Sequence, residues 1–173
     1  MQYTEKNMIY IYIVGPLFNQ AEAKQRIYEG TYLKKQLDLI ETPYQIVNPI
    51  ELPVNDGAAD SIAIYQADYR HQCKANVVFF DLSNSDTGSH TALGVMLEKK
   101  RQNPKIHLYP VFSDQRLKRN GAFGLESTVG FNSYVVGALK ANQIAIYDTF
   151  EQAAEQFFKD VQAGAFHEDD GIS

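Results

Sequence analysis

Two aspartates are the first candidates for chemistry, because neither sits in the setting of an ordinary solvated charge. Tyr65, Asp68, Tyr69 and Gln72 fall at i, i+3, i+4 and i+7, so they share one face of a helix. A carboxyl group between two tyrosines is either a surface charge flanked by half-buried rings or an acid tuned for proton transfer. Asp86 opens the run Asp86-Thr87-Gly88-Ser89 ahead of a helical stretch. It serves either as a plain helix cap or as part of a polar pocket at a helix N-terminus, whose N–H groups suit sugar oxygens or an anion. Gly15-Pro16-Leu17-Phe18 ends an apolar run. Glycine there permits close ligand approach, and proline stiffens the turn. Neither GxGxxG nor GxxxxGK[ST] occurs, so no dinucleotide or nucleoside triphosphate is implied. Taken singly, a plain turn at Gly15 and a half-buried surface charge at Asp68 are the favoured readings, while a plain cap at Asp86 is as good a reading as the functional one.

The elements that must position these residues follow from the apolar pattern. Residues 9–14 read as a strand, and residues 21–40 as a helix burying Ile27, Leu33, Leu37 and Ile40. Gly30 inside that helix costs about 1 kcal/mol relative to alanine. A second strand spans 44–47, a loop 51–60, and a helix 61–74. Val77-Val78-Phe79-Phe80 marks a buried strand within 76–82, followed by a helix over 89–101 and a fourth strand over 106–111. The polar stretch 112–131 is too long for an ordinary connection and reads as a functional loop. A short helix at 135–140, a fifth strand at 144–147 and an amphipathic helix at 149–161 complete the domain, residues 1–163. Residues 164–173 form an acidic tail expected to be mobile. The alternation predicts a single-domain α/β fold: a flavodoxin-like (Rossmann-like) five-stranded parallel sheet, order 2-1-3-4-5, with helices on both faces. Ligands of such sheets bind outside the carboxyl ends of strands 1 and 3, which points at 15–18 and 81–88.

Composition narrows the classes. The 173 residues carry a formal net charge of -5 with scattered positive residues, so no basic face for nucleic acid is expected. No run of about 18 apolar residues exists to span a membrane. Residues 1–7 are polar and unlike a secretory signal. Cys73 is the only cysteine, which fits a reducing cytoplasm. His71, His90, His107 and His167 show no metal-ligand spacing, so neither metal nor other cofactor is expected.

Four ordered segments together resemble the nucleoside 2-deoxyribosyltransferase family. They are Ile11-Tyr12-Ile13-Val14-Gly15-Pro16-Leu17-Phe18; Tyr65-Gln66-Ala67-Asp68; Asp86-Thr87-Gly88-Ser89-His90-Thr91-Ala92-Leu93-Gly94; and Gly130-Phe131-Asn132. The resemblance spans about residues 8–158. It implies exchange of the nucleobase of 2′-deoxynucleosides through a glycosyl-enzyme intermediate, chemistry that parallels retaining glycoside hydrolysis. It further implies that Asp68 handles the nucleobase proton, Asp86 binds sugar hydroxyls, and Tyr12 orients the nucleophile. Gly15, Pro16, Phe18, Tyr65, Gly88 and Ser89 would surround the substrate. Asn132 would reach a neighbouring subunit's site, making the chain a homo-oligomer, and the ligands would be deoxynucleosides and free nucleobases.

The departure is central. The family pattern Asp-x-Gly-x-x-x-Glu-x-Gly has its nucleophilic glutamate where this chain has Ala92. Glu98, six residues later, falls on a different helix face and is no substitute. Ala92 is therefore a disabling change in an otherwise intact site, a natural feature of a protein that keeps the pocket for binding, or an ordinary helix residue packing on the strand. Two further readings stay open: a deoxynucleoside or deoxynucleotide N-glycosidase, and a non-catalytic nucleoside-binding module. A nucleotide ligand would need a cationic pocket, for which Arg70, Arg116, Lys118 and Arg119 are candidates. Phe18, Tyr65 and Phe123 could stack on a base.

Overall fold

The computed structural model describes residues 8–40, 42–53, 60–83, 86–114 and 131–166. Strand β1, Ile9–Val14, is buried along its whole length, as expected of a strand covered on both faces. It lies between β2, Tyr44–Val47, and β3, Val77–Asp81, with β4, His107–Val111, beyond β3. All three pairings are parallel, with Ile11 opposite Ile46 on one side and Val77 on the other.

The helices are α1 (Gln20–Leu39), α2 (Ser61–Lys74), α3 (Thr87–Gln102), α4 (Ser133–Ala141) and α5 (Phe150–Gln162). The two-residue period of β1 divides the core. Tyr10, Tyr12 and Val14 pack with Leu93, Met96 and Leu139 of α3 and α4. Ile9, Ile11 and Ile13 pack with Leu33, Leu37 and Phe157 of α1 and α5. Helices therefore cover both faces, as the pattern predicts. Side-chain caps begin each long helix, including a capping box between Asn19 and Glu22 on α1.

Among the described residues the sheet has four strands, which corrects the expected fifth at 144–147. Tyr147 alone bridges Val111, donating to the Pro110 carbonyl at 2.9 Å and accepting from the Phe112 N–H at 2.8 Å. The next rung of a parallel ladder would run from the N–H of residue 110 to the Ala145 carbonyl. Pro110 has no N–H, so the ladder stops after one bridge.

Helix α1 also buries a different face from the one expected. Leu33 and Leu37 are inside, but Ile27 and Ile40 are exposed, and the stripe continues instead through Arg26 and Glu29. Gly30 is on that stripe because Asn48 crowds it: a β-carbon there would meet Asn48 Nδ2 at 3.0 Å. Of the expected functional loop, residues 115–130 lie outside the described residues, and with them Phe123, Arg116, Lys118 and Arg119. Of the expected tail, residues 164–166 form a turn whose Phe166 ring packs on His107 and Phe157; residues 167–173 lie outside the described residues. Among the described residues, no helix is long and apolar enough to cross a membrane.

Candidate functional site

The side chains that α2 and β1 present to each other build one wall of the site. Alternate residues Tyr10 and Tyr12 leave the same face of β1, and α2 meets them with Asp68, His71 and Gln72. The Tyr12 hydroxyl donates to Asp68 Oδ1 at 2.8 Å, and the Tyr10 hydroxyl pairs with His71 Nδ1 at 2.7 Å. Burial, and then the Asp68 carboxylate, push the Tyr12 phenol far above its ordinary range, so it keeps its proton and donates. Burial likewise raises Asp68, opposed by the Tyr12 hydrogen bond and by His71.

The opposite wall is the first turns of α3. Asp86 is buried and caps the helix: its Oδ1 accepts from the Ser89 N–H at 3.2 Å, and the Ser89 hydroxyl donates to Oδ2. His90 Nδ1 donates to the Asp86 carbonyl at 2.6 Å. The capping role of Asp86 and its place at the cavity thus coexist. Ala92, 8% exposed, follows Ser89 by three residues on the same side of the helix.

Between these walls lies a cavity of about 430 Å³, floored by the turn after β1. Every expected site residue lines it except Asn132: Tyr12, Asp68 and Ala92, the turn residues Gly15, Pro16 and Phe18, and Tyr65, Asp86, Gly88 and Ser89. Asn132 instead caps α4, accepting from the Tyr134 and Val135 N–H groups at 3.0 and 3.3 Å. Phe18 and Tyr65 stand at the mouth, largely exposed, with Tyr65 stacked on Tyr69 at 5.5 Å between ring centres. Asp68 and Asp86 are the only carboxylates among the described lining residues, and no Lys, Arg or His is among them. Arg70 lies on the exposed side of α2, its Nε donating to the Gln66 carbonyl at 3.0 Å. Glu98 pairs with Arg101 on the surface at 2.9 Å, as its helical phase requires. Among the described residues, no cluster of three His, Cys, Asp or Glu side chains is placed to hold a metal ion.

The sequence reading missed a buried charge cluster under the floor of the cavity. Arg26, 1% exposed, reaches Glu29 Oε1 at 2.9 Å and Asp81 Oδ2 at 2.5 Å. Its Nε and Nη1 are buried with no hydrogen-bond partner among the described residues. The only available signal was spacing, since Arg26, Glu29, Leu33 and Leu37 follow a helical stripe.

No family model matches the chain. An uncharacterized protein of Ureaplasma parvum serovar 3 is 26% identical over 118 residues, which cover 65% of this chain and 75% of that protein. The crystal structure of a conserved protein from Enterococcus faecalis V583 superposes with a TM-score of 0.66 at 24% identity, covering 88% of this chain and 98% of that one. The likeness establishes a shared α/β fold.

Proposed function

We propose that the chain carries the substrate site of a nucleoside 2-deoxyribosyltransferase-like enzyme. With Ala92 in place of an attacking carboxylate, it binds 2′-deoxynucleosides but transfers them poorly or not at all. The observation that carries this reading is the convergence of Tyr12, Asp68, Asp86 and Ala92, from separate elements, on one cavity.

The chemistry of each group supports it. A half-buried acid such as Asp68 keeps its proton to higher pH than a solvated one, which suits protonation of a departing nucleobase. Asp86 and Ser89 offer an acceptor and a hydroxyl to sugar oxygens at the start of α3. Phe18 and Tyr65 offer aromatic faces to a base at the mouth. Asn132 lies outside its own subunit's cavity, which leaves it to complete a neighbour's in a homo-oligomer. A lining without a cation among the described residues favours neutral nucleosides over monophosphates.

The test is the Ala92→Glu substitution, with base exchange between deoxyinosine and adenine followed by chromatography. Deoxyadenosine from the substituted protein alone supports the transferase site. Release of free 2-deoxyribose without exchange points to an N-glycosidase. A second reading, a non-catalytic nucleoside-binding module, is favoured by Ala92 itself and by Glu98 lying elsewhere. It predicts nucleoside binding by the unmodified chain and no turnover by either form.

A further inference from the structure

Three hydroxyl groups that line the cavity spend their protons on the protein itself. Tyr12 donates to Asp68 Oδ1 at 2.8 Å, Ser89 to Asp86 Oδ2, and Thr91 to the Thr87 carbonyl at 2.9 Å. What these groups present to a ligand is therefore oxygen lone pairs. Asp68 and Asp86 add carboxylates from opposite walls, and no Lys, Arg or His stands among the described lining residues to neutralise them. We propose that the cavity selects a nucleoside whose base carries a positive charge, held by Asp68 against Tyr65 and Phe18, over the same nucleoside with a neutral base. The inference rests on the nucleoside reading of this site and names the class of base it prefers: an N-alkylated or ring-protonated purine.

The geometry gives the charge its place. Asp68 spends Oδ1 on Tyr12, and its Oδ2 takes no hydrogen bond among the described residues. Tyr65 precedes Asp68 by three residues, so its ring and that carboxylate lie on one side of α2. One face of the ring packs on Tyr69 at 5.5 Å between centres, yet Tyr65 is 59% exposed, and Phe18 in the turn after β1 is 71% exposed. A flat cation seated at this mouth meets aromatic faces, whose electrons attract it, and a carboxylate oxygen with room for its N–H. A neutral base gains the stacking without the charge. An anion meets two like charges.

The preference agrees with the proton handling proposed for Asp68. When a neutral base takes the proton of the Asp68 carboxyl group on a ring nitrogen, a cation is left beside a carboxylate. A permanently cationic base brings the same arrangement with it. A lining complementary to that state holds the departing form of the base more tightly than the resting one.

The experiment is calorimetry of the full chain at neutral pH with two isomeric methylated nucleosides. 1-Methyl-2′-deoxyadenosine is a cation under these conditions, and N6-methyl-2′-deoxyadenosine is neutral. The expected result is binding of the cation about tenfold tighter, with Asp68→Asn cutting the difference to within about twofold. If Asp68→Asn does not fold, added salt on the unmodified chain takes its place: it should weaken binding of the cation and leave the neutral isomer unchanged. Equal affinities, tighter binding of the neutral isomer, or a preference untouched by Asp68→Asn or by salt overturns the proposal. The sugar-free pair 1,9-dimethyladenine, a cation, and N6,9-dimethyladenine, which is neutral, separates the two readings. Selection of the cation in that pair, with no binding of either nucleoside, removes the proposed function and keeps the charge selection. Equal binding of the two nucleosides keeps the function and removes the selection. No binding of any of the four removes both.

Discussion

Arg26 fills the space that a side chain on Gly15 would need: a β-carbon at residue 15 would stand 1.5 Å from Arg26 Nη1 and 2.7 Å from its Cζ. The sequence suggests that glycine here admits a ligand. The structure assigns the room to a guanidinium that ties α1 to the end of β3 through Asp81. The turn that floors the cavity is thus held against a buried ion cluster, and packing from behind determines the residue type at position 15.

Gly15→Ala should therefore destabilise the fold. Overpacking alone costs about 1–3 kcal/mol, and displacing the guanidinium from Glu29 and Asp81 adds the larger penalty of a buried charge losing its partner. Chemical denaturation of the two proteins side by side measures the difference. A midpoint within error of the unmodified chain would show that Arg26 relocates freely.

Glu29 supplies a pH dependence. Burial, only partly offset by Arg26, raises its carboxyl from 4.5 to about 7. The folded chain therefore holds this proton more tightly than the unfolded one. That contribution is fully present below the unfolded value and is lost as pH climbs toward 7. Its size is on the order of 3 kcal/mol at most. Denaturation midpoints at several pH values between these limits should decline for the unmodified chain, and Glu29→Gln should flatten the decline.

In the Ala92→Glu protein, Asp68→Asn should slow base exchange by roughly 10²–10⁴-fold, the usual weight of a positioned acid. The acid must carry its proton to act, so exchange should fall as pH rises through the raised Asp68 value. Tyr12→Phe removes a hydrogen bond that lowers that value, so it should carry the alkaline fall to higher pH. Rate–pH profiles of the three proteins check both points. A fall that stays in place in Tyr12→Phe would assign it to another group.

Pro110→Val restores an N–H on the free side of β4. The expected outcome is one more rung, to the Ala145 carbonyl, seen as slow hydrogen exchange at residue 110. Net stability should change little. The new hydrogen bond contributes about 0.5–1.5 kcal/mol, and losing a proline from the unfolded chain costs about 0.4–1 kcal/mol. A fast-exchanging amide at residue 110 would place the limit on the ladder elsewhere.

Local pattern made much of the scaffold legible. The run Ile9–Val14 and the helix Ser61–Lys74 have the bounds their sequences predict, because neighbouring residues set burial period and caps. The turn after β1, the Asp68 face and the Asp86 cap were legible as separate features, and the parallel alternation of elements was enough to direct the turn and the Asp86 cap to one end of the sheet; the Asp68 face joined them only through the resemblance. Asn132 was read from the resemblance as reaching a neighbouring subunit; the structure shows it as the cap of α4, a role the sequence reading did not assign.

The sequence alone determined the alternation of elements, the helix starts, and the residue types available for proton transfer and sugar contact, all of which depend on spacing along a few turns. Tertiary structure alone decided how those pieces meet. It buried Arg26 by bringing Asp81 to it across 55 positions, and it set Tyr12 against Asp68 across 56. It also ended the fifth strand, because the missing N–H belongs to Pro110 and not to the strand that lacks it. The physical reason is common to all three: the free energy of a buried polar group is fixed by the partner it meets, and that partner is a neighbour only after the chain has folded.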